Sequence, residues 1–237
     1  MADSHSAWAQ HQETLGNCSL FSGIEENERA TIAKQMEFIT APRGRLIMQH
    51  GDTTTETYFL VSGKVIGQLV ADNGREILFT EIAAGGYFGE LAALDGAARS
   101  ITISANAECV LAKLSAAQFR ETLMAHPQMA INLATDLGAR LRRMNDRVFG
   151  LVVHDVVTRV CVRLMQLAQA QEQLIDGGVI SDAPTREGMA GFVGSNREAV
   201  SRAFARLNKA GIIETKHKKV VILDVDRLLE ASEGPAD

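Results

Sequence analysis

The chain has 237 residues, of which 46% are hydrophobic, and its formal net charge is −5. This length suits one large domain or two of ordinary size, and the hydrophobic content excludes a disordered protein. No apolar run approaches the length of a membrane span, and residues 1–20 lack a secretory apolar stretch, so we expect a cytoplasmic protein. The cysteines lack the short spacing of a zinc or iron–sulfur site, and we expect buried or incidental thiols at Cys18, Cys109 and Cys161.

The first half of the chain is predicted to be rich in β-strands. A polar tail over residues 1–17 precedes a short predicted helix, Glu28 to Met36. Short β-rich runs then alternate with glycine and polar turns, at residues 45–49, 56–70, 75–82, 101–105 and 109–114. Asp72-Asn73-Gly74 is a hairpin signal. Many short strands with frequent turns predict an antiparallel β-barrel or sandwich rather than a βαβ sheet.

A glycine-rich segment within this region, residues 85–100, has the residues of an anion site. The turn leads into a short predicted helix, whose first amides, from Gly89 through Leu91 to Ala92, would be free to hold a phosphate. Arg99 can grip the same anion, and Glu90 can accept a hydrogen bond from a sugar hydroxyl. Together they describe a ribose-phosphate pocket. The alternative is a plain salt bridge between Glu90 and Arg99 across the loop.

After Pro127 the pattern becomes helical for about twenty-five residues. Apolar residues step by four and three positions, which predicts a long helix that pairs with another helix. The seam comprises Ala130, Ala134, Leu137, Leu141, Met144, Val148 and Leu151. It can pack on the chain's own barrel, or it can pair with a second copy of the chain, and the residues downstream favour such a homodimer. The helix is predicted to break near His154, and Asp155 is predicted to cap the next one.

Residues 185–207 are typical of two helices joined by a tight turn. Gly194 can adopt the positive φ of such a turn, and Ser195 with Glu198 forms a predicted capping box. The helix that follows projects Arg197, Glu198 and Arg202, whose side chains suit guanine acceptors and a cytosine amino group. The alternative is that Glu198 serves only as a cap.

The charge around this motif supports DNA binding. Residues 184–220 contain eight Lys or Arg against three Glu, a balance of +5, so the rest of the chain carries −10. A basic island on an acidic chain is the expected footprint of phosphate contact. Two apolar runs, 212–213 and 220–223, flank a basic tip that includes Lys216 and Lys218, as in the wing beside a helix-turn-helix.

The two motifs together resemble a known family. The segment FGELAALDGAARS is similar to the phosphate-binding cassette of cyclic-nucleotide-binding domains. From about residue 20 to 230 the chain resembles the cAMP receptor protein/fumarate-nitrate regulator superfamily of bacterial transcription factors. The family's DNA-reading Arg-Glu-x-x-x-Arg matches the residues from Arg197 to Arg202, and a phosphate-contacting arginine matches Arg186. Glu90 and Arg99 match the glutamate and arginine of the cassette.

The resemblance implies an α+β fold with a jelly-roll β-barrel, a long dimerisation helix and a winged helix-turn-helix. The implied domains are a cyclic-nucleotide-binding domain, the dimerisation helix and a DNA-binding domain, at 18–127, 128–154 and 155–237. It also implies that a homodimer binds double-stranded DNA and RNA polymerase without any cofactor or metal, under control of a cyclic nucleotide. Ser100, Met144 and Asn145 would face the purine, but they leave the choice between cAMP and cGMP open.

Three other functions are alternatives to this one. A regulator of the same fold can respond to a non-nucleotide signal or act without ligand, yet Glu90 and Arg99 speak against the loss of the nucleotide site. A nucleotide-binding module that acts on a protein partner would not need the basic helix-turn-helix. An enzyme is the weakest option, because the sequence shows no nucleophile–base pair, metal cluster or paired carboxylates.

Overall fold

A 3-10 turn, Ser19–Phe21, and helix α1, Glu26–Ala33, open the part of the chain that the structure describes. The structure is a computed structural model that describes residues 16–70 and 76–234. The predicted hairpin at Asp72-Asn73-Gly74 lies outside these residues. Helix α1 is shifted toward the N-terminus relative to the predicted helix. It begins two residues earlier, and it ends three residues earlier. The chain divides into two compact units, residues 1–141 and 142–237, and the boundary falls within one helix.

The first unit contains two antiparallel sheets and three further helices. The strands are β1 Glu37–Ala41, β2 Leu46–Met48, β3 Thr57–Ser62, β4 Lys64–Val70, β5 Glu76–Ala83, β6 Tyr87–Phe88, β7 Thr102–Ala105 and β8 Cys109–Leu114. One sheet has the order β1-β8-β3-β6 and the other has the order β2-β7-β4-β5. The helices are α2 Glu90–Asp95, α3 Ala116–Ala125 and α4 Pro127–Val153, of which α4 continues into the second unit. The predicted α+β fold class is confirmed, and the β-domain has the two-sheet form of the jelly roll.

Strand β3 explains how this unit is layered. Alternate residues of a strand point to opposite faces, and both faces of β3 are buried. Phe59 belongs to the core cluster that also holds residues of α1, α3 and α4, and its ring stacks on Phe21 at 5.3 Å between centroids. Leu60 belongs to the cluster enclosed by the strands. The sheet containing β3 therefore lies between a helical layer and the second sheet.

The second unit contains a small sheet and a helical core. Its elements after α4 are α5 Val156–Ala170, β9 Val179–Ile180, α6 Arg186–Val193, α7 Arg197–Lys209, β10 Ile213–Lys216, β11 Lys219–Ile222 and α8 Val225–Glu233. The strands pair in the order β10-β11-β9. Helix α7 buries Val200, Ala203, Phe204 and Leu207, whose spacing places one apolar stripe against the core.

The predicted break between α4 and α5 is confirmed. Helix α4 ends at Val153, and Asp155 Oδ1 accepts a hydrogen bond of 2.8 Å from the Thr158 amide at the start of α5. This is the side-chain cap that the sequence predicts, because the first amides of a helix have no intrahelical acceptor.

Candidate functional site

The glycine-rich segment forms β6 and the short helix α2. Gly89 precedes α2 with a φ of 84°, and a Cβ at this position would lie 2.7 Å from the Glu56 carbonyl oxygen and 2.8 Å from Arg99 Nη1. Only glycine fits this conformation without strain. The Ala93 amide donates to the Gly89 carbonyl, so the amides before it have no acceptor within the helix. The Glu90 amide donates to the carboxylate of its own residue. Leu91 is exposed and Ala92 is buried.

Glu90 is a buried carboxylate with an arginine partner. It is 4% exposed, and its Oε1 accepts from Arg140 Nη1 at 2.9 Å. Burial raises the pKa of Glu90, while the positive charges of Arg140 and Arg99 oppose that rise. The Arg140 guanidinium also lies 4.6 Å from the centroid of the Tyr87 ring. Arg140 was missed in the sequence because it belongs to α4, fifty positions away from Glu90.

Arg99 is buried, at 2% exposure, and faces acceptors of the protein. Its Nε donates to Thr54 Oγ1 at 3.0 Å, and its Nη1 donates to the Gly89 carbonyl at 3.0 Å. Nη2 donates to the Glu56 carbonyl at 2.9 Å and to Glu56 Oε2 at 3.4 Å. Burial lowers the pKa of Arg99, although the surrounding anionic groups counteract that effect. Glu90 therefore pairs with Arg140, and Arg99 pairs with Glu56. The alternative expectation of a salt bridge between Glu90 and Arg99 is wrong.

The remaining residues predicted to bind the nucleotide are accessible. Ser100 is exposed next to Arg99. Met144 and Asn145 are exposed on α4, within the second unit. The structure thus gathers Gly89, Glu90 and Arg99 into one polar cluster. The roles of all six residues in nucleotide binding stay predictions.

The predicted seam on α4 divides into a packed part and an exposed part. Leu137 packs against the core of the first unit, as Ala130 does. Four further members of the seam are exposed large hydrophobic residues, namely Leu141 (62% exposed), Met144, Val148 and Leu151. Phe149 and Val152 are exposed beside them. An apolar row of this kind on one chain favours a partner helix.

The predicted helix-turn-helix is α6, a turn and α7. Gly194 has a φ of 62°, as the turn requires. The predicted capping box is wrong by one residue, because Asn196 is the N-cap of α7 and its Oδ1 accepts from the Ala199 amide at 2.8 Å. The Ser195 amide donates to the Ala190 carbonyl at 3.0 Å, so Ser195 belongs to the C-terminal turn of α6. Glu198 lies in the first turn of α7.

The side chains predicted to contact DNA are mostly exposed. They include Arg197, Glu198 and Arg202 on α7. Arg186, at the first position of α6, is half-buried, and its guanidinium carbon lies 3.4 Å from the centroid of the Phe204 ring. Burial lowers the pKa of Arg186. The contact with Phe204 was not predicted, since Phe204 occupies an apolar position of the α7 stripe.

The predicted wing is confirmed as the β10–β11 hairpin. Lys216 pairs with Lys219 across the two strands, and His217 at the tip has a φ of 53°. Lys216 and Lys218 are exposed, and Lys216 Nζ contacts Glu214 Oε2 at 2.7 Å. The wing therefore presents its positive charge at its tip.

The end of α4 contacts the helix-turn-helix within the second unit. Arg147 Nη2 donates to the Gly191 carbonyl at 3.0 Å. A Cβ at Gly194 would lie 2.5 Å from Leu151 Cδ2, so a side chain at the turn would require the Leu151 side chain to shift. Leu151 therefore connects the exposed apolar row of α4 to the turn before α7.

The cysteines are buried free thiols, as expected. Burial raises the pKa of Cys18 and of Cys161 to about 12. Thiols with such a pKa are protonated and unreactive at neutral pH.

Comparison with known proteins identifies the family. Residues 38–126 match the cyclic nucleotide-binding domain, and residues 158–231 match the Crp-like helix-turn-helix domain. The CRP-like cAMP-activated global transcriptional regulator of Mycobacterium tuberculosis is 32% identical over 218 residues, which cover 91% of this chain and 97% of that protein. The chain belongs to the CRP/FNR family of transcription regulators. It is therefore a DNA-binding regulator with a cyclic-nucleotide-binding domain and not an enzyme.

Further similarities are found in sequence and in fold. The cAMP-activated global transcriptional regulator CRP of Haemophilus influenzae is 28% identical over 182 residues, covering 76% of this chain and 81% of that protein. The fold matches that of the c-di-GMP responsive global regulator CLP of Xanthomonas campestris, with a TM-score of 0.74 at 20% identity, over 84% of this chain and 99% of that one. Within the residues that the structure describes, no helix combines the length and apolar character needed to cross a membrane.

Proposed function

We propose that this CRP/FNR regulator binds cAMP or cGMP in its β-domain and that the nucleotide controls binding of the homodimer to a palindromic, TGTGA-like operator. The observation that carries the proposal is the cluster of Gly89, Glu90 and Arg99 at the start of α2, which combines the amides of a helix start, a carboxylate and a guanidinium. Relatives of this chain that are 32% and 28% identical are named as cAMP-activated.

The roles in the nucleotide site follow from the chemistry of each group. The amides from Gly89 to Ala92 and the Arg99 guanidinium would hold the cyclic phosphate. Glu90 would accept from the ribose hydroxyl with Oε2, while its Oε1 keeps the bond to Arg140. Ser100, Met144 and Asn145 would face the purine. We keep both nucleotides as candidates, because a serine and an asparagine can serve either base.

The roles in DNA binding separate into base reading and phosphate contact. Arg197, Glu198 and Arg202 would read base edges in the major groove. Contacts to the DNA backbone would come from Arg186, Ser195, Lys216 and Lys218. The dimer would bury the row formed by Leu137, Leu141, Met144, Val148 and Leu151 and would present two reading helices about 34 Å apart. Such a regulator works in the cytoplasm, with RNA polymerase as its further partner.

The functional division of the chain that we propose keeps four segments. These are the tail 1–17, the nucleotide-binding domain 18–127, the dimerisation helix 128–154 and the DNA-binding domain 155–237. A nucleotide controls DNA binding only if it has different affinities for two states of the dimer.

Calorimetric titration with cAMP and with cGMP, followed by operator binding with each, tests the proposal. We expect one nucleotide to bind and to raise the affinity for DNA. An Arg99→Ala variant that folds should lose nucleotide binding. If neither nucleotide binds and DNA affinity is unchanged by both, the proposal is wrong.

The reading helix and the wing are tested by comparing specificity with affinity. We expect Arg197→Ala to relax base choice at one position of the half-site, at a cost of about 1–3 kcal/mol. Lys218→Ala should weaken binding to all sequences and reduce the salt dependence. Equal loss of specificity in both variants would contradict the assignment.

A second candidate function is a CRP/FNR regulator that responds to another signal. It is favoured by Arg99, whose guanidinium already donates to three residues of the protein. The structural relative that is described as c-di-GMP responsive has the same fold. An operator-binding protein that ignores both cAMP and cGMP would support this candidate.

A further inference from the structure

Arg99 is held in the folded protein by acceptors that surround its guanidinium. Thr54, Gly89 and Glu56 accept from Nε, Nη1 and Nη2, respectively. A guanidinium carries five N–H groups, and the four contacts to these residues occupy most of them. The four contacts leave one of the five N–H groups, so an anion that binds through two donors must replace one of these partners or share a donor with it.

The Glu56 carboxylate is the partner best suited to be replaced. Its Oε2 lies 3.4 Å from Nη2, which is longer than a strong charge-assisted hydrogen bond. The Glu56 side chain is 36% exposed, whereas that of Arg99 is almost fully buried. The carboxylate can therefore turn into solvent while the Thr54 hydroxyl and the two backbone carbonyls keep the guanidinium plane in place. Glu90 has no such freedom, because it is buried and bound by Arg140.

We propose that Glu56 is a built-in competitor for the anionic group of the effector and that it sets the affinity of the site. The inference rests on the proposed function, in which Arg99 binds a cyclic phosphate. A phosphate monoanion and the Glu56 carboxylate carry like charges and seek the same Nη2 donor. Effector binding thus includes the cost of breaking the Arg99–Glu56 pair and of moving the carboxylate away.

Removing the charge of Glu56 is therefore expected to tighten binding. Glu56→Gln keeps the size of the side chain and the backbone carbonyl that accepts from Nη2. The phosphate is common to cAMP and cGMP, so Kd for both should fall by the same factor, about two- to fivefold for a partly exposed pair. The nucleotide concentration for half-maximal operator binding should fall by that factor too.

The test is calorimetric titration of the full-length protein with cAMP and, separately, with cGMP. Glu56→Gln and Glu56→Ala are compared with wild type, and Glu121→Gln serves as the matched control because Glu121 is exposed on α3. We expect both Glu56 variants to bind more tightly and the control to bind like wild type. Thermal unfolding without nucleotide shows that each variant is folded.

The outcomes separate this inference from the proposed function. If wild type binds a nucleotide and the folded Glu56 variants bind it no more tightly, Glu56 is not a competitor, although the nucleotide site stands. If the Glu56 variants bind a nucleotide and wild type does not, the competition by Glu56 is strong enough to prevent binding, which supports the inference. If wild type and both variants bind neither nucleotide, the competitor and the nucleotide site are both wrong.

Discussion

Replacing Arg140 by methionine is expected to destabilise the first unit in a pH-dependent way. Arg140 is the partner of the Glu90 carboxylate, at 2.9 Å, and Glu90 is buried. Methionine keeps an unbranched side chain but offers neither charge nor donor. The variant therefore leaves a buried carboxylate without its ion-pair partner, which is a recognised cause of large losses in stability.

The magnitude follows from the geometry. At 2.9 Å and an effective dielectric constant of about 20, the gross attraction is about 6 kcal/mol. Arg140 is 37% exposed, so solvent screens the pair, and methionine avoids the cost of desolvating the guanidinium. We expect a net loss of about 2–3 kcal/mol near neutral pH, including the contact of Arg140 with the Tyr87 ring.

The pH dependence has a definite sign. Burial raises the pKa of Glu90 above its ordinary 4.5, and loss of the Arg140 charge, which opposes that rise, raises it further. A carboxyl group with a raised pKa in the folded state favours folding below its unfolded pKa, and this contribution is lost as pH rises through the folded pKa. The penalty of Arg140→Met should therefore be small below about pH 4 and reach its full size above the pKa of Glu90.

Urea unfolding at acidic and at neutral pH measures this effect. The chain has two tyrosines, Tyr58 and Tyr87, and both lie in the first unit, so near-ultraviolet circular dichroism follows that unit. Glu90→Gln and the double variant complete a double-mutant cycle. The reasoning fails if Arg140→Met costs the same at both pH values, or if it costs as much in the Glu90→Gln background as in wild type.

Three further predictions concern the second unit. Asn196→Ala should remove the cap of α7 and lower the stability of the second unit by about 1 kcal/mol in thermal unfolding. Ser195→Ala should change that stability by less than about 0.5 kcal/mol. Equal losses in the two variants would show that Ser195 contributes to the cap. Gly194→Ala places a side chain on a backbone with a φ of 62°. We expect the stability of the second unit to fall by about 1–2 kcal/mol in thermal unfolding. An unchanged stability would show that the turn tolerates a Cβ. Phe204→Leu removes the ring next to Arg186 and should weaken binding to operator and to unrelated DNA by the same factor, about two- to fivefold. If Phe204→Leu causes the same loss in a protein that already carries Arg186→Ala, then Phe204 acts only through the core.

Features that depend on one short segment could be predicted from the sequence. The break before α5 follows from Asp155, whose carboxylate caps the helix that begins next to it. The turn before α7 follows from Gly194, because few other residues adopt its φ. The cap of α7 was misplaced because Ser195 and Asn196 are adjacent cap-forming residues. What distinguishes them is the bond from the Ser195 amide to the Ala190 carbonyl, which no local pattern encodes.

Features that depend on distant partners could not be predicted. Glu56 and Arg140 lie 43 and 50 positions from the cassette residues with which they pair. Both are ordinary charged residues in the sequence, and only the fold selects which opposite charge each one meets. Strands β6 and β9 were missed for a different reason, since each has two residues and shows no alternation of polar and apolar side chains.

Substitutions of Glu56 and Glu90 are expected to have opposite effects on nucleotide affinity, because the two glutamates differ in their partners and in their exposure. Each of the pairs Arg99–Glu56 and Arg140–Glu90 is neutral before any ligand binds, so a bound monoanion adds one negative charge to them. Releasing Glu56 into solvent restores the balance, because its side chain is partly exposed. Glu90 stays buried and would supply the acceptor for the ribose. Glu56→Gln should therefore tighten nucleotide binding, whereas the same substitution at Glu90 should weaken it about tenfold or more, since a charged acceptor is replaced by a neutral one. If calorimetry shows that both substitutions weaken binding, the balance of charges does not govern the affinity of the site.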